Sequence, residues 1–275
     1  MTKSLDEFRQ ESIRKLEKIS GDPLREYMEL FSAATGLSKT HALTNFFEVN
    51  SKRAGDLRLL EKYIYRRCTG MPLAYITGIE GFWKKEFRVT ADTLIPRPET
   101  ELLVELILSE NKRKCLKVLD LGTGTGAIGI SIAEEMPNWK ITATDISLLA
   151  LRTAKINSRG LKNINFIQCF WLNSIGTSFD IIVSNPPYIC DDDPHLKYLR
   201  YEPRLALEGG RDGLGPAREI IKTAKKNLVE KGRLYLEHGY DQKDDVTRIL
   251  RQRDFCNIKS YKDFAGHDRV IRAHS

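Results

Sequence analysis

Hydrophobic residues recur at helical spacing through about the first 70 positions of the chain. The first run covers residues 5–19 and stops at Gly21-Asp22-Pro23. Further helices are predicted over residues 24–34, from Ser38, and over residues 56–67, with Ser38 and Asp56 as N-caps. Strand-like alternation is not found in this part of the sequence. The pattern therefore predicts a small helical bundle.

Aromatic and branched residues alternate with polar ones over residues 73–95, which predicts a β-hairpin. The alternating residues are Tyr75, Ile76, Phe82, Trp83, Phe87 and Val89. Residues 95–99 follow as a rigid extended segment, because each proline fixes its own φ and restrains its predecessor. We expect a helical domain over residues 1–70, a linking hairpin over 71–98 and a larger domain over 99–275.

Strands and helices alternate in the larger domain. After a helix over 100–108, strands are predicted over residues 117–121, 141–145, 164–170, 179–184 and 233–237, and helices over 127–135, 148–157, 217–231 and 242–253. Buried apolar strands joined by amphipathic helices indicate an α/β fold with a mostly parallel, doubly wound sheet. Two final segments, 258–261 and 269–272, predict an antiparallel hairpin at the sheet edge.

Composition narrows the class of protein. The 275 residues are 41% hydrophobic and 29% charged, as in ordinary globular chains, and no apolar run is long enough for a membrane helix. The five cysteines are scattered and odd in number, which favours a reducing cytoplasm over a disulfide framework or zinc site. The net charge of +7 is spread along the chain, and residues 1–70 carry 13 basic and 10 acidic side chains. Stable nucleic-acid binding is therefore not expected.

A glycine-rich turn links the strand over 117–121 to the helix that follows it. Gly122, Gly124 and Gly126 let the backbone turn sharply, and Gly124 to Gly129 also satisfy the dinucleotide spacing G-x-G-x-x-G, although a plain tight turn has the same appearance. Asp120 at the end of the strand changes the expected ligand. A carboxylate is unfavourable beside a pyrophosphate and favourable beside an ammonium group, which S-adenosylmethionine carries.

The next strand ends at Asp145, 23 residues beyond Gly122. An acid at this position accepts hydrogen bonds from both hydroxyls of a ribose, as in other doubly wound sheets. The alternative is that Asp145 caps the following helix.

The segment Ser184-Asn185-Pro186-Pro187-Tyr188 follows the fourth strand, at the sheet edge where such folds bind ligands. Asn185 offers an acceptor oxygen, the prolines stiffen the turn, and Tyr188 offers a flat apolar wall. Such a group can hold a planar –NH2 so that its nitrogen faces a methyl donor. An ordinary proline turn is the alternative.

Together with the glycine-rich turn, these motifs resemble the peptide chain release factor N(5)-glutamine methyltransferases. The resemblance is carried by residues 72–76, 94–101, 120–129, 184–189, 201–203, 212–214 and 236–239, and it extends from about residue 70 to the C-terminus. It implies a Rossmann-like S-adenosylmethionine-dependent methyltransferase domain. Its implied acceptor is the glutamine of the Gly-Gly-Gln loop of bacterial release factors. Methylation of this glutamine modulates translation termination.

The resemblance also implies roles for individual residues. Asp145 holds the ribose and Trp171 lies beside the adenine. The methionine part lies on Gly122, Thr123, Gly124, Thr125 and Gly126, and the acceptor amide is bound by Asn185, Pro186, Pro187 and Tyr188. Asn185 is expected to bind the cofactor as well. Arg97 and Glu99 either shape the entrance or only link domains. The family usually has an acidic residue where this chain has Phe170, which changes the expected adenine contacts.

Three other functions are compatible with parts of the pattern. An amino methyltransferase acting on adenine or guanine in RNA or DNA shares the motifs, but a DNA enzyme that flips bases needs an added basic surface. A nicotinamide-dependent oxidoreductase leaves the segment 184–188 without a role, and a binding module without catalysis is the third possibility. We expect a monomer. We also expect no metal, since Asp191 to Asp193 and His195 are typical of a solvated loop.

Overall fold

The computed structural model describes residues 5–37, 54–172 and 175–275, and the chain divides into two compact units, Met1–Ile79 and Glu80–Ser275. Of the helices in these ranges, none combines the length and the apolar character that a bilayer span requires. The division falls inside the segment 71–98 that the sequence predicts to be a linker.

The first unit contains four described helices, namely α1 (Leu5–Leu16), α2 (Pro23–Thr35), α3 (Ala54–Cys68) and α4 (Leu73–Thr77). Their buried side chains form one core that includes Leu16, Tyr27, Phe31, Leu60 and Ile76. The side chain of Asp22 accepts from the backbone N–H of Arg25 and caps α2, while Gly36 ends it with a φ of 73°. The helix predicted from Ser38 lies outside the described residues.

The prediction that Tyr75 and Ile76 belong to a strand is wrong, because both lie in α4. Pro72 precedes this helix with a φ of −55°, and Gly78 ends it with a φ of 79°. Ile76 is buried in the core of the helical unit. Packing therefore decides the secondary structure of this segment, which is too short for its hydrophobic pattern to distinguish a helix from a strand. The hairpin itself is shorter than predicted, with β1 (Ile79–Phe82) and β2 (Lys85–Arg88).

The second unit is built around a seven-stranded sheet of order β5-β4-β3-β6-β7-β9-β8. Its strands are β3 (Lys117–Leu121), β4 (Lys140–Asp145), β5 (Ile164–Gln168), β6 (Phe179–Ser184), β7 (Leu228–Glu237), β8 (Cys256–Lys262) and β9 (Asp268–His274). β3 to β7 are parallel, and β9 pairs antiparallel with both β7 and β8. The predicted doubly wound sheet with a terminal antiparallel hairpin is confirmed.

Helices cover both faces of this sheet. They are α5 (Glu101–Glu110), α6 (Ala127–Glu135), α7 (Leu148–Asn157), α8 (Gly215–Asn227) and α9 (Lys243–Arg251). Successive residues of a strand point to opposite faces, so Val118 joins the core that holds α5 and α6, while Leu119 joins the core that holds α8 and α9. The sheet therefore lies between two apolar layers.

The helix predicted over 217–231 ends early, at Asn227, because the chain enters β7 at Leu228. Lys231, the last residue of the predicted helix, lies instead in the strand with a φ of 60°. A Cβ on Gly232 would come within 2.8 Å of the Val229 carbonyl oxygen, so the backbone makes a tight irregular turn here. The helical pattern of residues 217–231 does not reveal such a local backbone feature.

Glu110 at the end of α5 joins this helix to three strands. Its carboxylate accepts from the Tyr235 hydroxyl at 2.9 Å, from Arg272 Nη1 at 3.1 Å, and from the Tyr261 hydroxyl. Burial raises the pKa of Glu110, but the hydrogen bonds from Tyr261, Tyr235 and Arg272 outweigh it and leave the pKa lowered. The cluster thus attaches α5 to β7, β8 and β9.

We expect Glu110→Gln to reduce the free energy of unfolding at pH 7 by about 2 kcal/mol, since a neutral amide loses the charge-assisted bonds. A carboxyl group whose pKa is lowered by folding stabilises the protein above its unfolded pKa, and this contribution is lost as the pH falls through the folded value. The difference between wild type and variant in urea unfolding should therefore narrow on acidification. Glu105→Gln, on the exposed side of the same helix, is the control, and an equal loss in both variants would contradict the assignment.

Candidate active site

The register of three central strands gathers the predicted site residues at one edge of the sheet. Leu121 of β3 lies opposite Thr144 of β4 and Ser184 of β6, so Gly122, Asp145 and Asn185 leave the sheet at the same level. Two further bonds hold this edge together: Thr123 N–H donates to Thr144 O at 2.8 Å, and Ser184 Oγ donates to Leu121 O at 2.8 Å.

The glycine-rich turn adopts a backbone that other residues rarely adopt. Gly122, Gly124 and Gly126 have φ values of 68°, 56° and 86°. The turn closes when Gly126 N–H donates to Thr123 O at 2.8 Å, and α6 begins directly after it. A Cβ at Gly126 would lie 2.4 Å from Ile130 Cδ1, whereas one at Gly124 would meet no protein atom within 4 Å. Gly126 is therefore needed for packing, and Gly124 leaves open space toward the cavity it lines.

Asp120 acts from beneath the turn. It is fully buried, and its Oδ2 accepts from Thr123 Oγ1 at 2.5 Å and from Gly129 N–H at 3.0 Å. A Cβ on Gly129 would come 2.9 Å from this oxygen, which explains the glycine inside the helix. Burial raises the pKa of Asp120 to about 6. The sequence predicts that this carboxylate lies near a ligand ammonium group. Instead, Asp120 is fully buried, is absent from the residues that line the cavity and fixes the shape of the turn.

Asp145 has both carboxylate oxygens turned to backbone donors. Oδ2 accepts from Gly124 N–H at 2.9 Å and Oδ1 from Ser147 N–H at 2.9 Å, and burial raises the pKa of the carboxyl. The N-cap of α7 is Ser147, whose Oγ accepts from Ala150 N–H at 3.2 Å, so the alternative role of Asp145 as N-cap is wrong. Each carboxylate oxygen has a second lone pair, which leaves Asp145 able to accept from a ligand.

A cavity of about 230 Å³ opens above this edge of the sheet. It is lined by Gly122, Gly124, Asp145, Trp171 and Asn185 together with apolar residues such as Ile146 and Leu205. The lining residues include two carboxylates, Asp92 and Asp145, and among these described residues there is neither lysine nor arginine. Such a lining suits an adenosine with a cationic tail and is unfavourable for a pyrophosphate. The residues that line this cavity therefore fit S-adenosylmethionine.

Trp171 and Phe170 form the aromatic side of this cavity. Trp171 has a φ of 47°, and a Cβ on Gly122 would lie 3.6 Å from its Cζ3 atom, so the ring lies against the turn. Phe170 is 50% exposed, and its ring centroid is 5.9 Å from that of Trp171. Phe170 thus adds apolar surface where a side-chain acceptor was expected.

A second cavity of about 420 Å³ adjoins the first. The predicted acceptor-binding residues, Asn185, Pro186, Pro187 and Tyr188, all line it, as do Arg97, Glu99, Glu237 and Arg269. Asn185 and Pro187 line both cavities. The turn after β6 therefore forms the boundary between a space that suits the methyl donor and a space open to an acceptor.

Asn185 is held by a residue that sequence reasoning missed. Its Nδ2 donates to Thr100 Oγ1 at 3.0 Å, which leaves the side-chain oxygen Oδ1 available to a ligand. Tyr188 donates to Glu237 Oε1 at 3.4 Å, and burial raises the pKa of its phenol. Glu237 ends β7 at the same sheet edge, and this position, together with the resemblance over residues 236–239, could have identified it.

Arg97 and Glu99 line the second cavity, as the entrance role requires. Arg97 forms an ion pair with the buried Glu202, which also accepts from Ile95 N–H at 3.2 Å.

Two acids of the loop after residue 190 have hydrogen-bond partners in the protein. Asp193 Oδ1 lies 2.8 Å from His195 Nδ1, and Asp191 Oδ1 accepts from Gly210 N–H at 3.0 Å.

Comparison with known proteins agrees with this geometry. The fold and the two adjoining cavities define a Rossmann-like S-adenosylmethionine-dependent methyltransferase, and residues 98–199 match the model of the "Methyltransferase small domain" family. Residues 7–78 match the "PrmC N-terminal domain" family. A crystal structure of a methyltransferase from Pyrococcus furiosus has the same fold, with a TM-score of 0.52 and 21% identity over 68% of this chain and 87% of that one.

Curated relatives narrow the class. The release factor glutamine methyltransferase of Coxiella burnetii is 45% identical, over 78% of this chain and 79% of that protein. Those of Pseudomonas aeruginosa and Salmonella typhimurium are 43% and 37% identical, covering 88% and 91% of this chain and 88% and 92% of theirs. The chain belongs to the release factor glutamine methyltransferase family.

We expect Gly124→Ala to weaken binding of S-adenosylhomocysteine at least tenfold in calorimetry, because the residue lines the cavity and its added methyl group would meet no protein atom within 4 Å. Gly160→Ala is the matched control. Gly160 also has a positive φ, 97°, and open space around it, but it lies in the turn after α7 and does not line the cavity. Both variants should lose a similar ~1 kcal/mol of stability. Equal affinities in the two variants would show that the turn does not contact the ligand.

Proposed function

We propose that this chain transfers a methyl group from S-adenosylmethionine to the side-chain amide nitrogen of the glutamine in the Gly-Gly-Gln loop of peptide chain release factors, and so modulates translation termination. The observation that carries the proposal is the position of Asn185 at the boundary of the two cavities, with its Nδ2 engaged by Thr100 and its Oδ1 left for an acceptor. The family of the chain supports the same substrate.

The residues divide between donor and acceptor. We assign the methionine part of the donor to Gly122, the ribose to Asp145 and the adenine to Trp171, with Thr123, Gly124, Thr125 and Gly126 completing the turn below. When bound, S-adenosylmethionine supplies an activated methyl group at the boundary between the cavities. Asn185 Oδ1 and the Pro186 carbonyl accept the two amide hydrogens of the glutamine, and Pro187 and Tyr188 form the walls.

Orientation is the main requirement of this chemistry. The lone pair of an amide nitrogen is delocalised, so the group is a poor nucleophile and gains most from being held in line with its partner. A carboxamide oxygen and a backbone carbonyl can hold both N–H bonds without taking the proton, which leaves the nitrogen to water after methylation.

We also propose that the enzyme works in the cytoplasm as a monomer, without a metal and without stable nucleic-acid binding. The scattered cysteines of the described residues are unpaired thiols, and the +7 charge has no strongly basic segment. An amino methyltransferase acting on adenine or guanine in RNA or DNA is the competing function, and the assay below distinguishes the two.

We expect labelled methyl transfer to a release factor, and none to its Gln→Ala loop variant, to tRNA, to rRNA or to duplex DNA. Asn185→Ala should lower kcat/KM for the release factor about 100-fold or more, since the glutamine loses one of its two acceptors. Asn165→Ala, on an exposed position of β5, is the control and should retain activity. Label on nucleic acid instead would keep the cofactor and overturn the glutamine assignment.

We propose that the helical unit and the hairpin dock the release factor. With a catalytically arrested ternary complex, containing S-adenosylhomocysteine and the release factor, hydrogen exchange should slow in residues 5–37 and 54–79 as well as in β1 and β2. S-adenosylhomocysteine alone should protect only the glycine-rich turn and its neighbours. Protection confined to the second unit in the ternary complex would assign docking to that unit alone.

A further inference from the structure

The donor cavity, the first of the two cavities, is lined by segments that are distant along the chain. The glycine-rich turn contributes Gly122 and Gly124, and the segment 91–94 contributes four further lining residues. Only two residues separate this segment from Arg88, the last residue of β2. The position of β2 relative to the turn therefore sets the shape of this part of the cavity.

The side chain of Asn157, the last residue of α7, bonds both β2 and the turn. Its Oδ1 accepts from Arg88 N–H at 2.8 Å, and its Nδ2 donates to Arg88 O at 3.0 Å. The same Nδ2 donates to Thr125 O, inside the glycine-rich turn, at 2.9 Å. A carboxamide has one oxygen and two N–H groups, so every polar group of this side chain has a backbone partner. Asn157 is thus a hydrogen-bonded bridge between the two segments.

The carbonyl of Thr125 depends on this bridge. In a regular helix, Gly129 N–H would donate to Thr125 O, four residues earlier. Asp120 accepts from Gly129 N–H at 3.0 Å instead, and Thr125 O takes its hydrogen bond from Asn157. Thr125 is 3% exposed, and a buried carbonyl without a donor is costly. Asp120 and Asn157 therefore complement each other in holding the turn.

The surroundings of Asn157 keep α7 close to both segments. A Cβ on Gly126 would lie 3.2 Å from the Cβ of Ala154, three residues before Asn157, so the helix packs against the turn. Lys85 of β2 donates to Asn157 O at 3.2 Å and places a positive charge at the C-terminal end of α7, where such a charge is favourable. Asn157 itself does not line the cavity, so it can act on a ligand only through the backbone that it holds.

We propose that Asn157 is a positioning residue that fixes the glycine-rich turn relative to β2 and so keeps the donor cavity in the shape that binds S-adenosylmethionine. The inference rests on the donor part of the proposed function and is independent of the methyl acceptor. An aspartate could replace only part of the bridge. It would accept from Arg88 N–H, but an ionised carboxylate cannot donate to Thr125 O or to Arg88 O.

Calorimetry with S-adenosylhomocysteine tests the effect on the cavity. Asn157→Ala should raise the Kd about tenfold or more, because the bonds to both segments are lost. Asn157→Asp, which is nearly equal in size and leaves no cavity, should raise it at least as much. An unchanged Kd in Asn157→Asp would overturn the proposal.

Asn163→Ala is the matched control. The Nδ2 of Asn163 also donates to two backbone carbonyls, Ala133 O at 3.0 Å and Met136 O at 3.2 Å, at the far end of α6 from the turn. Both alanine variants should lose stability in urea unfolding, but a protein that stays almost entirely folded keeps its affinity unless its cavity changes. Asn163→Ala should therefore bind S-adenosylhomocysteine as wild type does. An equal loss of affinity in the two alanine variants would mean that Asn157 only supports the fold, and would overturn the proposal.

Amide exchange in the ligand-free protein tests the bridge itself. In 15N-labelled protein, Arg88 N–H should exchange about tenfold faster in Asn157→Ala than in wild type, since its acceptor is removed. Asn157→Asp retains an acceptor and should preserve the slow rate. Slow exchange together with weakened binding in Asn157→Asp would assign the effect to the bond with Thr125. Unchanged exchange in Asn157→Ala would show that Asn157 does not hold β2, and would overturn the proposal.

The two proposals fail separately. If the wild-type protein binds S-adenosylhomocysteine but does not methylate release factors, the proposed acceptor is wrong, and the Kd values of the Asn157 variants still decide the positioning role. If methylation occurs while both Asn157 variants bind S-adenosylhomocysteine as tightly as wild type, the function stands and the positioning role is wrong.

Discussion

The register of β3 between β4 and β6 is the constraint on which the site depends. One pairing level, with Leu121 opposite Thr144 and Ser184, brings the glycine-rich turn, Asp145 and Asn185 to the same edge. A shift by two residues would keep every apolar side chain on its proper face but would separate these groups by about 7 Å. The apolar layers on both faces therefore stabilise the sheet without fixing its register. The hydrogen bonds of Thr123 and Ser184 across its edge define the site.

Two buried carboxylates support the site from below, one under each cavity. Asp120 holds the turn through Thr123 and Gly129, and Glu237 faces Thr100 and Tyr188 below the acceptor side. Burying a carboxylate is costly, and one oxygen of each acid, Asp120 Oδ1 and Glu237 Oε2, has no hydrogen-bond partner among the described residues. Burial accordingly raises the pKa of both groups, to about 6 and about 7. An acid in each place gives a property that a neutral side chain lacks, since it accepts hydrogen bonds and never donates them while ionised.

The local patterns of the sequence predicted the elements around the site well. The strands Lys117–Leu121 and Phe179–Ser184 and the helices Ala127–Glu135 and Leu148–Asn157 begin and end at the predicted residues, because glycine, proline or polar residues bound each apolar run. The failures have other causes. Ile76 follows the packing of the helical core, and Lys231 follows a tight backbone turn. Thr100 is 85 residues from Asn185, and no local pattern encodes that hydrogen bond.

The same contrast, between what a local pattern encodes and what it does not, separates the residues that bind the cofactor from the residues that orient the acceptor. Glycines after one strand and an acid at the end of the next predict a cofactor-binding turn in any doubly wound sheet, because the backbone of the turn forms the binding surface. Holding an amide nitrogen in one direction needs a side-chain amide whose own two ends are distinguished, although oxygen and NH2 are nearly equal in size. Shape cannot distinguish them, so hydrogen bonding must do so. In this chain the Asn185 amide is held through its nitrogen, because Nδ2 donates to Thr100 Oγ1 at 3.0 Å and leaves Oδ1 for the acceptor.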